Sequence, residues 1–145
     1  MSYHKGMVFI VYFSRIMSSK FPKKEKLKSE ILIRRVFEDG KSITSYPLKL
    51  IYLPIDELSE VKIQCGVTAP KRIFKSAVKR NRIKRLLRES YRLNKEKIFN
   101  NIEGSFAFLF LYLGNEMPEY EDVEKHMKVI LKKFLIKVSN EDSIK

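Results

Sequence analysis

The sequence predicts a single α+β domain, a small mixed sheet with packed helices in the order α-β-β-α-β-α. Three observations carry that reading. The chain has 145 residues, the length of one domain. Hydrophobic residues make up 44% of it, enough for a core of its own. Segments with apolar residues at helical spacing are interleaved with segments in which apolar and polar residues alternate. The chain divides into an N-terminal extension (1–19), a domain over 20–138 and a polar tail (139–145).

In the extension, the apolar run from Met7 to Phe13 is too short to span a bilayer. Three readings stay open: an extra strand or loose extension, a true start at Met17, or a targeting segment behind His4-Lys5. Ser14-Arg15 interrupts the run, and no small-x-small cleavage site follows. Phe21-Pro22-Lys23-Lys24 reads as a basic, extended lead-in. Ser29 caps a helix that runs to about Asp39 and stops at Gly40. Leu32, Ile33, Val36 and Phe37 form its apolar face.

Leu48–Leu53 is a strand ending at Pro54, and Ile55 to Glu60 reads as a polar hairpin loop. Val61–Thr68 alternates strictly, with Val61, Ile63, Cys65 and Val67 on one face. Ser76 caps a second helix, from Ala77 to about Leu93. Ser105–Leu113 is continuously apolar and reads as a central strand buried on both sides. Phe106, Phe108, Phe110 and Tyr112 point one way; Ala107, Leu109, Leu111 and Leu113 point the other. Glu119–Val138 is the last helix, with Tyr120, Val123, Met127, Ile130, Phe134 and Val138 inward, followed by a frayed tail.

The charge is concentrated. The chain carries a formal +13, yet residues 71–97 alone hold 12 Lys/Arg against 2 acids. Such a surplus favours a polyanion, nucleic acid first and an anionic membrane surface second. One cysteine rules out a disulfide framework and a cysteine zinc cage. His4 and His126 lie far apart, and no clustered nucleophile and base is present, so the sequence offers no catalytic or metal-binding set.

On a helical wheel, Ile83, Leu86, Leu87 and Ser90 cluster on one side of the second helix. Asn81, Lys84, Arg85, Arg88 and Arg92 cluster opposite, flanked by Arg80 and Arg82, with Lys79 opening the run. The cations span about four turns, roughly 24 Å, enough to meet several phosphates. An arginine fork grips phosphate with two hydrogen bonds, which lysine cannot. The plainer reading is a solvated amphipathic face. Against it, only Glu89 offsets the cations between 79 and 92. Like charges at i,i+4, such as Lys84/Arg88, destabilise a free helix, so a partner that relieves them is favoured.

Thr68-Ala69-Pro70-Lys71-Arg72, followed by Ser76-Ala77-Val78-Lys79-Arg80-Asn81-Arg82-Ile83-Lys84-Arg85-Leu86-Leu87-Arg88-Glu89, closely resembles the signature of the bacterial ribonuclease P protein subunit. Leu27-Lys28, Val36-Phe37 with Gly40-Lys41-Ser42, and the strand through Ile51-Tyr52 resemble it too, so the likeness covers about residues 20–138. It implies a ribosomal-protein-like fold with a left-handed β-α-β crossover. It implies the small partner of a ribozyme that trims the 5′ leader from precursor tRNA by phosphodiester hydrolysis, with Mg²⁺ held mainly by the RNA subunit; the sequence itself shows no catalytic or metal-binding residue on the protein.

By matching position, Lys79, Arg80, Asn81, Arg82, Lys84, Arg85, Arg88 and Arg92 would meet the RNA subunit. Phe37, Tyr52, Thr68, Lys71 and Arg72 would line a cleft for the single-stranded leader. The partners implied are the RNA subunit and precursor tRNA, in the cytoplasm, with no membrane and no protein partner required. Ile33 stands where many members carry a second cleft phenylalanine, Pro70 where serine is common, and Lys75-Ser76 where Gly-Asn is frequent. Ser105 lacks an acid often found there, and Leu113-Gly114 replaces the usual Ala-Arg end.

Periodicity alone places Phe37 and Tyr52 in the core; the resemblance offers the cleft instead. The Phe106/Phe108/Phe110/Tyr112 stripe reads as core more simply than as a base-stacking platform. Cys65 reads as a small buried hydrophobe, His126 as a surface residue, and Glu121-Asp122 as helix-dipole partners. Two further functions compete. A structural RNA-binding protein of the ribosome would use the same stripe, and a stand-alone nuclease would need a catalytic constellation the sequence lacks.

Overall fold

The computed structural model describes residues 22–55 and 61–144. The three readings of 1–19 and most of the 55–60 loop therefore lie outside the described residues. The elements are α1 (Glu30–Asp39), β1 (Lys41–Ser45), β2 (Leu48–Ile55), β3 (Ile63–Thr68), α2 (Ala77–Phe99), β4 (Ser105–Tyr112) and α3 (Tyr120–Ile144). The sheet order is β1-β2-β4-β3. β2 pairs antiparallel with β1 and β4, and β3 pairs parallel with β4. This is the expected α+β class with a small mixed sheet, plus one strand the sequence reading lacked.

That strand is Lys41-Ser42-Ile43-Thr44-Ser45, in which only Ile43 is buried. A single apolar residue gives no periodic signal, and the strand exists because β2 offers it a hairpin partner through Tyr46-Pro47, a cis peptide bond. The hairpin expected between β2 and β3 does not form, because β4 lies between them. β2 also continues through Pro54 to Ile55; Pro54 is exposed.

β4 is buried on both sides, as its unbroken apolar run demands. Phe106, Phe108, Phe110 and Tyr112 face a core shared with Ile83, Leu87 and Tyr91 of α2 and Met127, Ile130 and Phe134 of α3. Ala107 and Leu109 face a smaller core made with Leu27, with Leu32 and Val36 of α1, and with Ile51 and Leu53 of β2. Phe134 packs edge-on to Tyr52, Phe106 and Phe108 at centroid distances of 5.0, 5.2 and 4.8 Å.

Both expected caps form: Leu32 N–H donates to Ser29 Oγ at 3.2 Å and Lys79 N–H to Ser76 Oγ at 3.4 Å. Gly40 ends α1 in an extended conformation, not a left-handed one. Glycine is needed there for space, since a Cβ would lie 2.7 Å from Ile51 Cγ2. Gly104, at φ 80°, does adopt the left-handed turn that leads into β4.

α2 runs past the expected end near Leu93 because Leu93, Asn94, Lys95 and Ile98 are all buried. Lys62 Nζ donates to Phe99 O at 2.7 Å, placing a cation at the helix C-terminus. α3 continues through the segment read as a frayed tail; residues 139–144 contain no Gly or Pro to stop it. The lead-in forms a single 3-10 turn, Lys23–Glu25, then lies along β3, where Leu27 N–H donates to Cys65 O at 3.0 Å. Lys95 Nζ meets Glu25 Oε1 at 2.8 Å in a buried ion pair that ties this turn to α2. Among the described residues no helix is long and apolar enough to cross a membrane.

Phe134 is fully buried at the junction of β2, β4 and α3. Phe134→Ala is expected to lower unfolding stability by about 3–5 kcal/mol in urea titrations, whereas Ile136→Ala, at an exposed site on the same helix, should change it by less than about 0.5 kcal/mol.

Candidate nucleic-acid interface

α2 docks by Ile83, Leu87 and Tyr91, so its cations are turned away from the sheet. Lys79, Asn81, Arg82, Arg85 and Arg88 are exposed, and Lys84 is half-buried. Among the described residues no ion pair engages Arg82, Arg85 or Arg88. The stripe expected from the sequence is therefore largely present and outward-facing.

Three cations of this region are spent within the protein. Arg92 pairs with Glu89 one turn back. Lys95 is buried against Glu25 and sits 5.6 Å from the Phe99 ring centroid. Arg80 donates from Nη1 to Phe74 O at 2.6 Å and to Lys75 O at 2.9 Å. Arg80 thus fastens the loop that carries Lys71 and Arg72 to the first turn of α2. Buried Ala69 and Phe74 hold the two ends of that loop, while Lys71 and Arg72 themselves are exposed.

On the α1 side of the sheet lies a groove of about 200 Å³. Lys26 and Lys28 of the lead-in, Ile33 of α1, Gly66 of β3, Leu109 of β4 and Arg88 of α2 are among its lining residues. Arg88 thus belongs to both the stripe and the groove. Gly66 keeps the floor low, since a Cβ there would come within 3.3 Å of Leu109 and of Leu27. Across the sheet, Lys49, Leu111 and Thr68 stand in register on this same face, and all three are half-buried. Phe37, one turn beyond Ile33, is 52% exposed.

Of the residues expected in a leader cleft, Phe37, Thr68, Lys71 and Arg72 are accessible from solvent, but Tyr52 is corrected. Its side chain is 1% exposed on the opposite face of the sheet, against Phe106 and Phe134. Strand alternation explains this: Leu48, Leu50 and Tyr52 share the large core, and Lys49, Ile51 and Leu53 face α1. Lys49, not Tyr52, is the β2 residue on the cleft side, and the same alternation read from the neighbouring leucines would have identified it. Lys26, Lys28 and Gly66 were also missed; the lead-in carries no periodic pattern that assigns it a face.

His126 Nδ1 lies 2.9 Å from Ser45 Oγ, linking α3 to β1, and the pair sits apart from the groove. Burial holds the Cys65 thiol well above its ordinary pKa, with the nearby Arg88 charge opposing and the Glu25 carboxylate adding to the shift. Burial raises the Tyr91 hydroxyl as well. Among the described residues, no group of three His, Cys, Asp or Glu side chains is placed to hold a metal ion.

Arg80 and Arg82 should separate cleanly. Arg80→Ala is expected to cost about 1 kcal/mol for each of its two hydrogen bonds and so lower the melting temperature, while Arg82→Ala leaves melting unchanged. The Cys65 thiol stays protonated when folded, so only the unfolded chain releases that proton as pH passes the ordinary thiol range near about 8.5. Stability should therefore decline as pH rises through that range, and iodoacetamide should label the native protein far more slowly than the urea-unfolded chain.

The family model described as Ribonuclease P matches residues 21–135. The ribonuclease P protein component of Porphyromonas gingivalis is 35% identical over 109 residues, covering 73% of this chain and 80% of that protein. The RNase P protein structure from Staphylococcus aureus superposes with a TM-score of 0.59 at 18% identity, covering 79% of this chain and 96% of that one. The one from Thermotoga maritima gives 0.58 at 21% identity, covering 75% and 96%. With the family model matched over residues 21–135 and a relative 35% identical over 109 residues, this chain belongs to the ribonuclease P protein family.

Proposed function

We propose that this RNase P protein component binds the catalytic RNA subunit through the exposed face of α2 and the 5′ leader of precursor tRNA along the α1-side groove. The observation that carries the reading is the outward, carboxylate-free set Arg82, Arg85 and Arg88. Lys79, Asn81 and Lys84 extend it along about two and a half turns. Guanidinium forks on a rigid helix meet phosphates at fixed spacing, and their mutual repulsion in the free protein is relieved on binding.

The groove suits a single strand. Phe37 offers a ring on which a base can stack, and Lys26, Lys28, Lys49 and Lys71 neutralise the backbone without reading sequence. Arg88, at the junction, places the leader beside the RNA subunit. In this reading phosphodiester hydrolysis belongs to the RNA, which also holds the Mg²⁺, and the protein's part is to position two polyanions against each other.

The test is reconstitution with the catalytic RNA and precursor tRNA. The triple variant Arg82→Ala, Arg85→Ala, Arg88→Ala should fold normally but bind the RNA with a log–log salt slope shallower by about 2–3, at about 0.7–0.9 per phosphate. Leader cleavage at limiting protein should fall with it. Unchanged affinity and slope, or association with intact ribosomal subunits instead of the catalytic RNA, would refute the assignment.

A further inference from the structure

A second groove of about 260 Å³ lies between the C-terminal half of α2 and α3. We propose that it is a separate RNA-contact site that takes one unpaired nucleotide; this rests on the reading of the chain as an RNA-binding subunit. Ile98, Leu131 and Leu135 give the groove an apolar wall, and Lys97, Lys128 and Lys132 surround it. Lys128 is partly offset by Glu124 at 3.3 Å, while Lys97 and Lys132 reach no carboxylate among the described residues.

The seventh residue lining the groove is Asn94. Its side chain is 4% exposed, and its Nδ2 donates to Ser90 O at 2.7 Å. Its second Nδ2 hydrogen and its acceptor Oδ1 are left to offer a guest. A polar amide kept at an apolar wall asks for a donor in return.

The guest must therefore carry an apolar flat body, a hydrogen-bond donor and negative charge. A nucleotide supplies all three: the base face for Ile98, Leu131 and Leu135, a base N–H for Asn94, and phosphate for Lys97 and Lys132. An acidic peptide supplies charge and N–H donors, but it would need an aromatic residue beside its acid, whereas a nucleotide carries the flat face, the donor and the phosphate in one unit. The volume lies just under the range of about 300–1,000 Å³ typical of small-molecule sites, so one base fits and a larger cofactor does not.

The position gives the site its meaning. At about 100° per residue, Lys97 lies roughly 180° around α2 from Arg88. The helix that offers arginines to RNA on one side would thus hold a nucleotide on the other. Two RNA segments, or one that wraps, would be clamped about a single helix.

Two measurements on the full-length protein decide the matter. In the first, Lys97→Ala with Lys132→Ala is compared with the Arg82/Arg85/Arg88 triple alanine variant for binding to the catalytic RNA, with melting temperatures confirming the fold. The double variant should lose about 1.4–1.8 from the salt slope, which is about 25-fold or more in affinity at 0.1 M salt if the curves meet near 1 M. In the second, the ¹⁵N-labelled protein is titrated with adenosine 5′-monophosphate and, separately, with inorganic phosphate. The nucleotide should shift the Asn94 side-chain amide together with Lys97 and Lys132, and phosphate the lysines alone.

If the triple variant weakens RNA binding and the double variant does not, the second site is wrong while the function stands. If neither variant weakens it, the function itself is wrong. Failure of the nucleotide to move Asn94 also removes the second site, whatever the lysines do.

Discussion

The burial of β4 on both faces is the constraint on which the rest of this molecule depends. The strand is held by β2 on one side and β3 on the other, and its side chains divide between two cores. α2, joined to β4 by way of Gly104, crosses the sheet on the aromatic side, apolar surface down. The magnitudes favour this outcome. Each buried aromatic removes about 150–250 Å² from water, several kcal/mol at about 25 cal/mol per Å². Repulsion between neighbouring cations on an exposed helix amounts to only about 0.2–0.5 kcal/mol per pair. The core can therefore hold a helix whose outer face works against it.

The same division separates the two basic surfaces. The arginine stripe lies on the outside of α2, and the groove lies on the α1 side of the sheet. Arg88 belongs to both. Arg80 ties the loop carrying Lys71 and Arg72 to the start of α2. Another tie, the Lys95–Glu25 pair, fixes the lead-in that supplies Lys26 and Lys28. A buried pair of this kind adds little net stability but is costly to break from one side, so its effect is to hold the lead-in in one place.

Much of this was legible in the sequence, and what was not failed for physical reasons. Ser29 and Ser76 were readable as caps because a hydroxyl ahead of an apolar run has a specific task. The central position of Ser105–Tyr112 followed from an apolar run too continuous for a half-exposed strand. The direction of the arginines followed from the wheel. By contrast, Lys41–Ser45 is a strand only by virtue of its neighbour, and local pattern cannot show that. Tyr52 was assigned to the cleft although its own alternation with Leu48 and Leu50 sends it to the opposite face. The adjacency of β3 and β4 is a property of topology, and the residues from the lead-in reach the groove only through it. Arg80 and Lys95 counted toward the surface charge in the sequence, yet the fold uses both for itself.

The lead-in along β3 has a further consequence. A sheet with an open edge strand invites other chains to add strands to it. Here Leu27 already occupies one of Cys65's bonding positions on that border. The opposite border is the short β1, with Lys41 and Thr44 facing solvent and α3 alongside. Both margins are thereby made poor templates for self-association, which matters for a chain with ten phenylalanines.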